Sequence, residues 1–203
     1  MDFPKQRIVL GLQQGGVGIL PTDTIYGLVG RALSKKAVEK IYKLKKRNPR
    51  KSFIILINSL DDLRLFGIKL DRKTRRFLRG LWPAKISVIL PCRGEKFRYL
   101  HRGAHSLAFR LPKKKWLREL LKKTGPLVAP SANPEGKKPA ATLKEAKDYF
   151  GNGVDFYLGG GRLKSKPSTI IRLDKNQIEV IRKGMGYPPN GSYKSYWSYK
   201  SYR

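Results

Sequence analysis

The 203-residue chain is poor in acids, histidine and cysteine: 14 Asp and Glu stand against 45 Lys and Arg, with two histidines and one cysteine. A lone Cys92 permits no intramolecular disulfide, which excludes the secreted, disulfide-stapled class and fits a reducing cytoplasm. No apolar run approaches the length of a membrane span or a signal-peptide core, and Asp2, Lys5 and Arg7 interrupt the N-terminal apolar residues. No targeting segment and no membrane partner are expected. No GxxxxGK[ST] segment occurs, so a nucleotide would not be held in the Walker manner, and Gly159 to Gly161 alone are a poor phosphate signature. His101 and His105 lack a glutamate in the His-x-x-x-His spacing and a third ligand. Beside Gly103 they read as a surface loop, and no residue is assigned as a metal ligand. Cys92 has no obvious base and reads as a buried strand-end thiol.

What is present is apolar material for one core, 40% hydrophobic residues, under a net charge of +31. The length suits one domain. Such a field attracts polyanions, so RNA, DNA, acidic membranes and nucleotides are all candidate partners, and a basic surface adapted to an unusual cytoplasm is the plainer alternative. Charge alone does not choose among them.

Apolar spacing predicts a helix over Phe3 to Leu12, stopped by Gly15 and Gly16, and a strand over Val17 to Leu20. Ser34 caps a helix carrying Val38, Ile41 and Leu44 that ends before Pro49. Phe53 to Ile57 suits a strand buried on both faces. Ser59 and Asp71 cap short helices, and strands are expected at Ile86 to Leu90, Leu107 to Leu111 and Leu127 to Ala129, with a basic helix over Lys113 to Lys122. Thr142 and Glu145 match a capping box for a helix to Phe150, and strands at Phe156 to Leu158, Thr169 to Leu173 and Ile178 to Ile181 follow. The sum is an α/β fold: one twisted, open, mixed sheet flanked by helices over residues 1–186. From Tyr187 to Arg203 the composition turns to Tyr, Ser, Lys, Pro and Gly, which reads as a disordered basic tail able to touch polyanions.

Four stretches have compositions that packing does not require. PTDTIYGLVG, Pro21 to Gly30, follows a strand and ends in glycines that admit a ligand closely; a turn joining strand to helix explains it equally well. LKKRNPRK, Leu44 to Lys51, is a basic knot at a helix end, where cations also simply complement the dipole. Unwinding before Pro49 would send Lys45 and Arg47 the same way. APSANPEGKKP, Ala129 to Pro139, lets Ser131 and Asn133 project from one side, toward an anion or nucleotide, though a plain polar loop has the same look. SLAFRLP, PSTIIRL and VIRKG place Arg110, Ser168 and Arg182 at strand edges or ends, and Arg110 in an apolar strand needs a substrate anion or a protein acid as partner.

Taken in order, PTDTIYGLVG, LKKR, LWPAKISVILP, SLAFRLP, APSAN, PSTIIRL and IRKG resemble the successive signature blocks of the YrdC/TsaC family, collinear from Gly15 to Gly184. The resemblance implies an open α/β sheet around a basic concave cavity. It also implies synthesis of threonylcarbamoyl-adenylate from ATP, L-threonine and bicarbonate for threonylcarbamoyladenosine in tRNA, with Mg²⁺ arriving with ATP. Its KxR and SxN elements fall on Lys45, Arg47, Ser131 and Asn133 around the nucleotide, Lys45 and Arg47 being the expected catalytic pair. Arg182 matches its nucleotide-side arginine, and Thr24, Ser168 and Arg110 match the threonine pocket. A separate transferase would pass the product to tRNA. The family's RPG element is Arg182, Lys183 and Gly184 here, and the glycine before its ST pair is replaced within Lys164 to Pro167. The chain resembles the short, single-domain form. Two other classes share the cavity: a non-catalytic RNA-binding or ribosome-assembly protein, and a hydrolase of carbamoylated nucleotides.

Overall fold

A computed structural model describes residues 3–174, 177–187 and 198–200. The chain runs α1 (Phe3–Gln13), β1 (Gly18–Pro21), β2 (Tyr26–Arg31), α2 (Lys35–Lys45), β3 (Ile54–Leu56), α3 (Arg72–Leu81), β4 (Ile86–Pro91), α4 (Arg98–His101), β5 (Ser106–Arg110) and α5 (Lys115–Thr124). It then forms β6 (Leu127–Val128), α6 (Leu143–Phe150), β7 (Phe156–Tyr157), β8 (Thr169–Asp174), β9 (Gln177–Arg182) and β10 (Ser198–Lys200), with short 3₁₀ segments including Leu60–Phe66 and Glu95–Phe97. Among the described residues the ten strands join one sheet in the order β10-β9-β8-β4-β5-β3-β6-β2-β1-β7. Pairing is mixed: β3 with β5 and β4 with β8 are parallel, while β1 with β2, β4 with β5 and β8 with β9 are antiparallel.

The continuous apolar runs of the central strands follow from burial on both faces. Ile19, Leu28, Ile55 and Val128 point into one core with Val38 and Ile41 of α2. Their chain neighbours Leu20, Val29, Leu56 and Leu127 point into a second core with α1 and α5. Side chains alternate across a strand, so each adjacent apolar pair serves both layers.

Caps fix where the helices begin. The Ser34 side chain accepts from the Ala37 N–H, Asp71 from Thr74 and Thr142 from Glu145, as their positions in the sequence predict. Residues 26–31, read as the end of a turn, instead form β2. The run YGLVG packs a buried strand whose glycines, Gly27 and Gly30, leave room for Thr22 and for Ala37 and Ile41. In the segment expected to be a disordered tail, Ser198–Lys200 pairs with β9 in parallel; the remainder, 188–197 and 201–203, lies outside the described residues.

Candidate active site

The sheet surface opens into a cavity lined by Thr24, Arg47, Arg110, Ser131, Ser168 and Arg182, together with apolar residues of β3, β4, β5 and β8. The structure thus brings six of the eight sequence-predicted site residues to the lining of one cavity. Lys45 and Asn133 are placed behind it.

Lys45 is the last residue of α2 and lies on its inward face beside Ile41 and Tyr42. It is 1% exposed, and its ammonium donates to the Ser131 carbonyl at 2.6 Å and the Asn133 carbonyl at 2.5 Å. Burial, and then the Arg47 charge, bring its pKa down to about 8 from an ordinary 10.5, against the opposing pull of Glu135. The backbone does not unwind into an extended segment as Pro49 suggested. Lys46 takes the left-handed conformation, φ 49°, with its N–H on Lys43 O, and Arg47 N–H returns to Tyr42 O. That single turn exposes Lys46 and sends Arg47 into the cavity while Lys45 stays beneath the 131–135 loop.

Arg47 is held from behind. Its Nε donates to Lys51 O and its Nη2 to Ser52 O, each at 3.3 Å, and the guanidinium carbon stands 5.2 Å from the centre of the Phe53 ring. The 131–135 loop is fixed against β2 by Leu28 N–H to Pro130 O and Ala132 N–H to Tyr26 O, both 2.9 Å. Asn133 Nδ2 donates to Pro134 O and Lys137 O, which folds the loop on itself, and its Oδ1 is buried without a partner. Glu135, which sequence reading passed over, accepts from Asn48 N–H at 2.6 Å and from Lys51 Nζ at 2.8 Å. These bonds hold its carboxyl below the usual carboxylate range. The two basic loops are therefore stitched together twice, below by Lys45 and outside by Glu135.

Arg110 has the partner its apolar strand demands, and that partner is a protein acid. Its Nη2 lies 3.0 Å from Asp23 Oδ1, with both side chains 4% exposed, and its Nη1 donates to Thr24 Oγ1 at 3.2 Å. The pair is close in distance but misaligned for a hydrogen bond, so Asp23 Oδ1 remains without one, and Arg110 Nε is separately buried without a partner. Burial pushes the guanidinium pKa down and Asp23 pushes it back up. Thr24 Oγ1 also lies 3.1 Å from Thr22 Oγ1. Asp23 and Thr22 were legible in PTDT as polar turn residues, without a signal for this pairing.

Opposite, Ser168 is buried and shares a 3.0 Å hydroxyl contact with Ser87 of β4, a residue the sequence reading left in a plain strand. Arg182 belongs to an exposed strand end, yet its guanidinium packs onto Ser168, donating to the carbonyl from Nη2 at 2.8 Å and from Nε at 3.2 Å. Partial burial there, with the charges of Arg110 and Arg47, lowers its pKa. Three guanidiniums thus face one cavity and their charges add there, an arrangement suited to a polyanion. The Tyr26 hydroxyl closes one rim, accepting from Gly160 N–H at 2.9 Å and donating to Gly161 O at 2.8 Å.

Outside the cavity, Cys92 is buried at the end of β4, with its thiol pushed up by burial. The surface-loop reading of the histidines is corrected for His101. It ends α4, whose Leu100 packs inward, and is 0% exposed.

The model of the Sua5/YciO/YrdC family, described as "Telomere recombination", matches residues 11–184. The threonylcarbamoyl-AMP synthase of Hahella chejuensis is 35% identical over 169 residues, covering 81% of this chain and 91% of that protein. That of Pyrococcus abyssi is 29% identical over 184 residues, covering 89% of this chain and 54% of its own length. The crystal structure of P. abyssi Sua5 complexed with L-threonine superposes with a TM-score of 0.81 at 26% identity, covering 89% of this chain and 54% of that one. The chain thus spans about half the length of the P. abyssi proteins it matches. Escherichia coli YciO superposes with a TM-score of 0.79 at 25% identity, covering 95% and 92%. With six signature side chains around one cavity and a family match over most of its length, the chain belongs to the Sua5/YciO/YrdC family.

Proposed function

We propose that this chain is an L-threonylcarbamoyladenylate synthase, and that the cavity of Arg47, Arg110 and Arg182 is where ATP and threonine meet. The carrying observation is the convergence of three guanidiniums with the hydroxyls of Thr24, Ser131 and Ser168 around one cavity, in a chain 35% identical to a threonylcarbamoyl-AMP synthase. The threonine amine and bicarbonate give an N-carboxylated amine. One of its carboxylate oxygens attacks the α-phosphorus of ATP, the bridging oxygen leaves with pyrophosphate, and threonylcarbamoyl-AMP and water complete the balance.

Such a transfer needs alignment and charge neutralisation rather than a covalent catalyst. Arg47 and Arg182 offset charge growing on the phosphates, and the Ser131 hydroxyl orients them. Lys45 and Asn133 act from behind by holding the 131–135 loop in shape, Lys45 adding a positive charge beneath it. Thr24 and Ser168 read the threonine polar groups. Arg110, committed to Asp23, fixes the Thr24 hydroxyl. Mg²⁺ would arrive as the ATP complex and supply charge neutralisation on the phosphates; the described lining offers guanidiniums and hydroxyls rather than carboxylates, so no residue of it is assigned to the ion. Binding of tRNA or another RNA to the basic exterior, transfer of the product by a separate transferase and a cytoplasmic setting belong to the same proposal, resting on net charge and family resemblance.

The test is incubation with ATP, bicarbonate and labelled threonine. A labelled adenylate with equimolar pyrophosphate is expected. Folded protein that binds RNA without forming it would favour a non-catalytic binder, and labelled carbamoyl-adenylate consumed rather than formed would favour a hydrolase.

A further inference from the structure

The connection between β4 and β5 gathers three metal-ligating side chains, none of which lines the cavity. One ligating atom each from Glu95, His101 and His105 lies within 4.8 Å of the other two. Glu95 begins a 3₁₀ turn, His101 ends α4, and His105 immediately precedes β5. The two imidazole rings face each other, centroids 5.0 Å apart and tilted by 32°.

The backbone goes to some length to make this arrangement. Arg102, Gly103 and His105 all have positive φ, 52°, 87° and 48°. Left-handed backbone is unfavourable for a non-glycine residue, and it appears here twice within four residues, at Arg102 and His105. The His105 carbonyl accepts the Cys92 N–H at 2.8 Å, tying the returning chain to the end of β4.

His101 is also incompletely satisfied. Its Nδ1 accepts the Gly103 N–H at 3.1 Å, which leaves the hydrogen of a neutral ring on Nε2, and Nε2 is buried without a partner. A buried donor without an acceptor has lost its hydration and gained nothing in exchange.

We propose that Glu95, His101 and His105 form a binding site for a divalent transition metal, Zn²⁺ being the ion whose preferences this donor set fits. Two imidazoles and one carboxylate make a three-ligand zinc set that leaves the fourth position to water. Ligation at His101 Nε2 moves its hydrogen to Nδ1, with no net proton lost from the neutral ring. The orphaned N–H becomes a coordinate bond, and the N–H of exposed Gly103 is released to water. Glu95 and His105 are exposed, so side-chain rotation can bring their donors to the roughly 2.1 Å that zinc requires. Arg98, 3.5 Å from the Glu95 carboxylate, competes for it. A donor set of two imidazoles and a single carboxylate selects against Mg²⁺ and Ca²⁺, which need several oxygen ligands, and favours an ion that bonds strongly to imidazole.

The test uses the full chain without a histidine tag, stripped with chelator and titrated with Co²⁺ and then Zn²⁺. One equivalent of Co²⁺ giving visible bands of a four-coordinate site, displaced by Zn²⁺ but not by excess Mg²⁺, is expected. H105A and E95Q change exposed side chains and should fold. Each should weaken binding by about tenfold or more and abolish the rise in unfolding temperature that Zn²⁺ gives the parent. Adenylate synthesis by metal-stripped H105A should equal that of the stripped parent. Substoichiometric binding, or equal binding by the parent and H105A, would overturn the assignment.

Discussion

The Lys45 ammonium donates to the Asn133 carbonyl at 2.5 Å, so a side chain at the end of α2 sets the shape of a loop 88 residues further along the chain. With the Ser131 carbonyl accepting from the same ammonium at 2.6 Å, three of the four residues in the KxR and SxN elements meet through one side chain and two backbone oxygens, behind the cavity. This separates the roles of Lys45 and Arg47, which their spacing made look equivalent.

The lowered pKa of Lys45 has a thermodynamic consequence. The unfolded value is 10.5 and the folded one about 8, so between these limits the unfolded chain binds more protons and stability rises with pH. The penalty is fully present below pH 8 and relieved by about pH 10.5, and is worth at most about 3 kcal/mol because the carbonyl bonds favour the ammonium. Urea unfolding of the parent and K45M at pH 7 and pH 9.5 checks this. The difference between the two proteins should shift by more than 1 kcal/mol, the parent gaining with pH.

Asp23 and Arg110 form a buried pair whose members depend on each other. D23N leaves a guanidinium buried without its counter-charge and should cost about 3–5 kcal/mol in unfolding free energy. It should also loosen the Thr24 hydroxyl, so discrimination of threonine from 2-aminobutyrate should fall in the same variant. Denaturant unfolding and the kcat/KM ratio for the two amino acids measure both effects. Intact discrimination would detach Thr24 from the threonine pocket.

Gly184 takes the place of the last residue in the family's RPG element, and space explains why a glycine is needed. A Cβ there would stand 2.2 Å from Pro167 O and 2.5 Å from Ser168 C, both backbone atoms that cannot swing away. G184A should therefore cost roughly 1–3 kcal/mol and raise the KM for threonine by displacing Ser168. Thermal unfolding with steady-state kinetics will show whether the two changes travel together.

Lys46 offers a gain instead of a loss. Its exposed side chain sits on left-handed backbone, so K46G should stabilise the chain by about 1 kcal/mol without lowering turnover. A loss of stability would show that the turn is not formed as described.

Much of this was legible in the sequence because local rules are strong where they apply. Ser34, Asp71 and Thr142 announced their caps, and the paired apolar residues of β3 announced a strand buried on both faces. The turn after β1 was harder. Thr22 to Ile25 form it, but Tyr26 to Arg31 continue as a strand because β6 and β1 pair on either side, a tertiary fact that YGLVG does not carry. At the site, residue types showed which side chains carry charge and hydroxyls, and the structure brings Thr24, Arg47, Arg110, Ser131, Ser168 and Arg182 together. What the types did not encode is direction. Lys45 faces inward because it follows Ile41 by one helical turn, and the acid that partners Arg110 is 87 residues away in sequence.

The most direct test of the account follows radiolabel from bicarbonate into threonylcarbamoyl-AMP, dependent on both ATP and threonine, in the parent, R47A and K46A, with thermal unfolding measured on all three. If Arg47 stabilises charge on the phosphates, R47A should lose about 2–4 kcal/mol in activation free energy, roughly thirty- to thousand-fold in rate, and keep its unfolding temperature within a few degrees. K46A should remain close to the parent. A parent that incorporates no label, or an R47A enzyme that turns over as fast as K46A, would contradict the account.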